Sequence, residues 1–192
     1  MSATSTTLSI ERIAGAAPRF KAKTAGVLYL LSVLAASLAD IFVHGGMNVA
    51  GGLIAVSVMI AATLFFYDVL SPMSRRFTLL AAGFNFAGLA FELLRLQPQG
   101  VNVAVVFNGF YCILIGYLVF RSISAPRSLG ALMALGGVGW LTLLSPGLAS
   151  YLAPYNLALG IFGEGAVYLW LLVMGVNAHP WKERISNPQG RD

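Results

Sequence analysis

The sequence predicts an all-α, polytopic membrane protein: six transmembrane helices in one bundle, with both termini in the cytoplasm. Three observations predict it. Of 192 residues, 58% are apolar and only 10% are charged, against about 25% charged in an ordinary soluble domain. The apolar residues gather in six runs, each near the roughly 20 residues that a helix needs to cross about 30 Å of hydrocarbon. Eleven of the twelve Lys and Arg residues fall in the two tails and in alternate loops, the pattern of the positive-inside rule.

So little charge cannot clothe a water-facing surface, which argues against a cytosolic enzyme, a nucleic-acid reader and a disordered regulator. The net charge of +5 is scattered over short loops as a topology signal, so no nucleic-acid partner is expected. A single cysteine, Cys112, excludes an intrachain disulfide framework and a cysteine-based metal cluster.

Taken in order, residues 1–24 form a cytoplasmic tail holding Arg12, Arg19, Lys21 and Lys23. Two readings of 7–17 stay open: an interfacial helix with Leu8, Ile10 and Ile13 toward lipid, ended by Pro18, or a disordered leader. The transmembrane domain is expected over 25–177, with spans at 25–44, 47–70, 77–96, 101–120, 129–145 and 155–176. Gly45-Gly46, Ser71-Pro72, Gln97-Pro98, Ala125-Pro126 and Ser145-Pro146-Gly147 punctuate them. The first run is too long for a cleavable signal, and the short alternating segments of a barrel are absent. Arg75 and Arg76 mark the second loop and Arg121 and Arg127 the fourth; Arg95 is the exception. The cytoplasmic tail 178–192 adds Lys182, Arg184 and Arg191. Tyr29, Tyr117, Trp140, Tyr151, Tyr155 and Trp181 are expected near the interfaces. Gly136, Gly137, Gly139, Gly160 and Gly163 are expected where helices pack closely.

Residues 25–31 followed by Asp40, Leu79-Leu-Ala-Ala82 with Gly88, and Gly116-Tyr-Leu-Val-Phe-Arg-Ser122 continuing through Pro126-Arg127 and 136–141 carry a family likeness. With Gly163-Glu164, Leu169-Trp-Leu-Leu172 and Gly175, they resemble the bacterial multi-pass membrane proteins grouped as domain of unknown function 4386. The resemblance runs from about 25 to 176 and implies a six-helix fold in the bacterial inner membrane and no chemistry. The chain departs from that pattern at Asn85, where the family often has arginine, and at Tyr111, where it often has histidine.

Function inside a membrane is read from the polar residues that cannot face lipid, because a charge at mid-bilayer costs at least about 2.5–3.5 kcal/mol. At 100° per residue, Tyr29, Ser32, Asp40 and His44 share one arc of the first helix. Asn85, Gly88, Glu92 and Arg95 share a face of the third, Asn108, Tyr111 and Cys112 lie on the fourth, and Asn156, Glu164 and Tyr168 share a face of the sixth. The expected polar cavity is therefore lined by Asp40, His44, Asn85, Glu92, Arg95, Asn108, Tyr111, Glu164 and Tyr168, open toward the outer side. Glu164 lies roughly 13 Å from the outer end of its helix, near the midplane. Plainer readings stand beside this one. Glu92–Arg95 and Asp40–His44 are local pairs, the asparagines are interhelical hydrogen bonds, and Asp68 pairs with Arg75 or Arg76.

The leading expectation is a protein that binds or passes a small solute or proton through this cavity. The alternative is a non-catalytic scaffold, sensor or accessory subunit, favoured by short loops. An enzyme is the weakest reading. There is no phosphate-cradling glycine loop with lysine, no zinc-type histidine pair, and no serine within reach of His44. No catalytic residue, cofactor or metal is assigned; the partners expected are the lipid bilayer and a small solute or proton, with protein partners left open.

Overall fold

The computed structural model describes residues 20–34, 46–94, 96, 98, 101–122 and 125–174, and within these the chain is helical with no strand. Helix α1 covers 20–34. It is followed by α2 (Gly46–Leu70), α3 (Arg75–Leu93), α4 (Val103–Phe120), α5 (Arg127–Leu141), a 3₁₀ turn (Thr142–Leu144), α6 (Pro146–Leu152) and α7 (Tyr155–Met174). Asp40, His44, Arg95, Trp181, the segment 7–17 and the C-terminal tail lie outside the described residues, so the expectations placed on them are not addressed.

Local chemistry sets the ends. Helix α2 closes where Pro72 cannot continue it, with Ser71 N–H on Tyr67 O at 2.8 Å and Met73 N–H on Leu70 O at 2.9 Å. Helix α4 opens on Asn102, whose side chain accepts from Val105 N–H at 3.3 Å, a capping contact. The same logic produces an element that the sequence reading leaves as loop. Ser145 accepts from Leu148 N–H at 3.4 Å with Pro146 at the first helical position, and the seven-residue α6 follows. Ser145-Pro146 ends one helix and starts another, because proline is suited to a helix's first turn.

Among the described residues, four stretches are long and apolar enough to cross a membrane: Gly51–Leu70, Val103–Phe120, Arg127–Leu144 and Tyr155–Met174. Helix α3, with 19 residues, is diluted by Arg75, Arg76, Asn85 and Glu92. The outward faces are greasy throughout: Leu53, Ile54, Leu64, Leu79, Leu80, Leu135, Val138, Ile161, Phe162 and Leu169 are all exposed. No water-soluble domain leaves so much apolar surface open; this is a multi-pass membrane protein.

Inside, α4, α5 and α7 meet backbone to backbone. A methyl on Gly116 would lie 2.6 Å from Ala134 N, on Gly137 2.6 Å from Gly109 O, and on Gly163 2.7 Å from Leu132 O. No side chain fits at those points, so the small residues set the helix separation and their packing replaces the missing hydrophobic drive within lipid. Helix α3 joins through Gly88, which faces Ala104 and Phe107 of α4. Helix α1 lies on α7, where Gly26 faces Tyr168 O at 3.0 Å. Ser32 donates to Ala55 O of α2 at 3.0 Å, and Lys21 pairs with Asp68 at 2.8 Å. That pairing corrects the expected Asp68 contact with Arg75 or Arg76: α1 starts beside the end of α2 and brings its lysine there first.

Candidate functional site: a carboxylate shared by four helices

Glu164 stands midway along α7, about 14 Å from either end at 1.5 Å per residue. It is 6% exposed. A buried carboxylate far from water must find donors within the protein, and here three other helices supply them. Asn108 Nδ2 of α4 donates to Oε1 at 2.5 Å. Cys112 Sγ, one turn further along α4, donates to the same oxygen at 2.9 Å. Trp140 Nε1 of α5 is the third donor to Oε1, at 2.5 Å. Tyr29 of α1 donates its hydroxyl to Oε2.

Each partner is positioned by the packing already described. Asn108 and Cys112 are four residues apart on the inner face of α4, which Gly109 and Gly116 hold close to α5. Trp140 leans across α7 because Gly160 leaves its indole room; a side chain on Gly160 would overlap that ring. Gly160 precedes Glu164 by one turn, so the indole that covers the glycine ends at the carboxylate.

One turn beyond Glu164, Tyr168 is fully buried. Its ring stacks on Tyr29 with centroids 3.4 Å apart at 15° and meets the edge of Phe66 at 5.2 Å. Its hydroxyl donates to Tyr111 Oη of α4 at 3.5 Å. The centre is thus a carboxylate, a thiol, an amide, an indole and three phenols, contributed by α1, α4, α5 and α7. A second polar layer lies toward the start of α7, where Asn156 Nδ2 donates to Thr142 Oγ1 at 2.9 Å and to Ala149 O at 3.4 Å.

Of the nine residues expected to line a cavity, Asn108, Tyr111, Glu164 and Tyr168 come together at this centre. Asn85 does not: it is buried on α3 and donates to Thr63 Oγ1 of α2 at 2.5 Å. Glu92 is exposed at the end of α3 and is not among the partners of Glu164. Glu92 and Glu164, expected to line one cavity, thus stand apart. Gly88 already faces Ala104, the second residue of α4. One turn further, about 6 Å on, Glu92 runs past the start of α4. Asp40, His44 and Arg95 fall outside the described residues.

Three partners escaped the expected lining. The sequence puts Cys112 on the polar stripe of its helix and outside the expected lining. The sequence places Tyr29 both near an interface and on the polar arc of the first helix, and Trp140 near an interface; in the structure Tyr29 is buried and Trp140 half-buried. A signal for the indole exists in Gly160, since a glycine one turn from a buried acid marks room for a large neighbour.

The family model described as domain of unknown function (DUF4386) matches residues 87–175. That segment holds every member of the centre except Tyr29. An archaeal protein of Archaeoglobus fulgidus, described as "Uncharacterized protein", is 26% identical over 134 residues, covering 64% of this chain and 79% of its own length. No solved structure matches the chain.

Proposed function

We propose that this member of the DUF4386 family is a six-span protein of the bacterial inner membrane, with cytoplasmic termini, that takes a proton or small solute at Glu164. The observation that carries the reading is the carboxylate itself: a group costly in hydrocarbon, held at mid-helix by donors from three other helices. Among the described residues no three His, Cys, Asp or Glu side chains gather. The centre so offers one carboxylate, which suits a proton or a neutral or singly charged guest better than a hard divalent cation wanting six or more oxygens.

Tyr29 is the partner on α1, which touches α7 through Gly26 but lies outside the interlocked group α4, α5 and α7. Withdrawing it frees Oε2 while Oε1 stays held. The guest would therefore enter beside α1. The test is proton and solute flux in liposomes holding the purified protein. The Glu164→Gln variant loses the flux while Glu92→Gln retains it; a Glu164→Gln variant that performs like the parent overturns the reading.

A scaffold is the second reading, and one observation favours it: both oxygens of Glu164 are satisfied by the chain's own donors. If that is the whole role of Glu164, its substitution lowers the melting temperature of a protein that shows no flux at all.

A further inference from the structure

We propose that the corner where α3 begins and α4 ends binds the phosphate headgroup of an anionic phospholipid, whose acyl chains lie along the exposed flank of α3. The inference is independent of the Glu164 centre. Arg75 and Arg76 open α3 and Arg121 follows the last residue of α4, so the three stand at one end of the bundle, and all are exposed. Arg121 is held in place. Its Nη1 donates to Tyr117 Oη at 3.0 Å, and its guanidinium lies 5.8 Å from the centre of that ring. The Tyr117 ring in turn packs on Phe77, centroids 5.3 Å apart, and Phe77 directly follows Arg76 in α3. The aromatic pair therefore fastens the arginine of one helix to the arginine-bearing turn of the other.

The charge there is unanswered among the described residues. The first turn of α3 holds no acid, and Asp68, the carboxylate at this end, is taken by Lys21. Guanidinium forks match phosphate oxygens in pairs, and arginine beside tyrosine at a helix end sits at headgroup level. Below the arginines Phe77, Leu79 and Leu80 present open apolar surface. Cations above and hydrocarbon below, on one helix flank, complement a phospholipid rather than a soluble anion.

The experiment uses the full chain in nanodiscs of phosphatidylcholine and phosphatidylglycerol, with retained lipids counted by native mass spectrometry. The parent retains phosphatidylglycerol preferentially. The preference falls about fivefold for each arginine removed in Arg76→Gln and Arg121→Gln, while Lys23→Gln, which removes the same charge from an exposed position on α1, leaves it nearly intact. Equal losses from all three would show a diffuse surface field and overturn the site, as would a parent without preference. Displacement of the retained lipid by inorganic phosphate would overturn the lipid as occupant. Melting temperatures in pure phosphatidylcholine, unchanged among these surface variants, separate lost binding from lost folding.

Discussion

Glu164 accepts three hydrogen bonds on Oε1 and one on Oε2, so the residue is worth most for the donors it keeps satisfied. Glu164→Leu would leave the Asn108 amide and the Trp140 indole without their acceptor in a buried site, at about 1–3 kcal/mol for each stranded group. The expected result is a large drop in melting temperature in detergent or lipid. Glu164→Gln retains one acceptor oxygen and is expected to fall between that variant and the parent. Glu92→Gln, on an exposed helix end, is expected to change stability by less than about 0.5 kcal/mol; thermal unfolding of the three variants side by side checks the order. The difference between the two acids was only partly legible in the sequence. Both lie in apolar runs on polar helical faces, and a helical wheel treats them alike. What separates them is register: Glu164 sits at mid-helix opposite α4 and α5, whereas Glu92 runs past the point where α4 begins. Register between helices far apart in sequence is fixed by packing, which a single helix's periodicity does not contain. For the same reason Asp68 pairs with Lys21, 47 residues away, and not with the arginines a few residues after it.

At the scale of elements, helix existence was legible and helix environment was not. Apolar runs of membrane length and Pro-containing breaks predict α2, α3, α4, α5 and α7, because those features act locally. The short α6 was missed since Ser145-Pro146 reads equally as a stop. The glycines were legible as packing positions in general, but which ones are indispensable depends on what faces each. Gly137 faces Gly109 O at 2.6 Å and Ile113 Cγ1 at 2.8 Å, whereas Gly165 has nothing within 4 Å. Gly137→Val must push α4 and α5 apart and is expected to cost roughly 1–3 kcal/mol or more. Gly165→Ala gains helix propensity in open space and is expected to be neutral or stabilising by up to about 1 kcal/mol. Melting of the two variants measures the contrast; equal destabilisation would show that the α4–α5 contact is not what the glycine serves.

The whole molecule has two tiers. Helices α4, α5 and α7 interlock through glycine contacts that allow no side chain, and the family match of 87–175 covers that unit. Helix α1 rests on α7 at one glycine, Gly26 against Tyr168 O, and side chains make the other ties of α1 and α2: Tyr29 to Glu164, Lys21 to Asp68, Ser32 to Ala55 O, and Thr63 to Asn85. Path and charge together support the proposed orientation. Lys21 near the start of α1 meets Asp68 near the end of α2, so these helices run antiparallel, and α3 turns back after the short link 71–74. Helix α6, about 10 Å long at seven residues, is too short to cross. Counting α1 through α5 and α7 as crossings returns the chain to the side on which it began. On the proposed six-span path the basic residues Lys21, Lys23, Arg75, Arg76, Arg121 and Arg127 all stand at helix ends on that side, which the positive-inside rule would make cytoplasmic. Two reporters follow from this: an N-terminal and a C-terminal tag are both expected to be reached only from the cytoplasm. A thiol label on cysteine introduced at exposed Tyr151 of α6 is expected to react from the outer side, the native Cys112 being buried. Tags found on opposite faces would mean an odd number of crossings. They would then leave α1 or α3, the two helices outside the four most apolar stretches, lying along the membrane instead of through it.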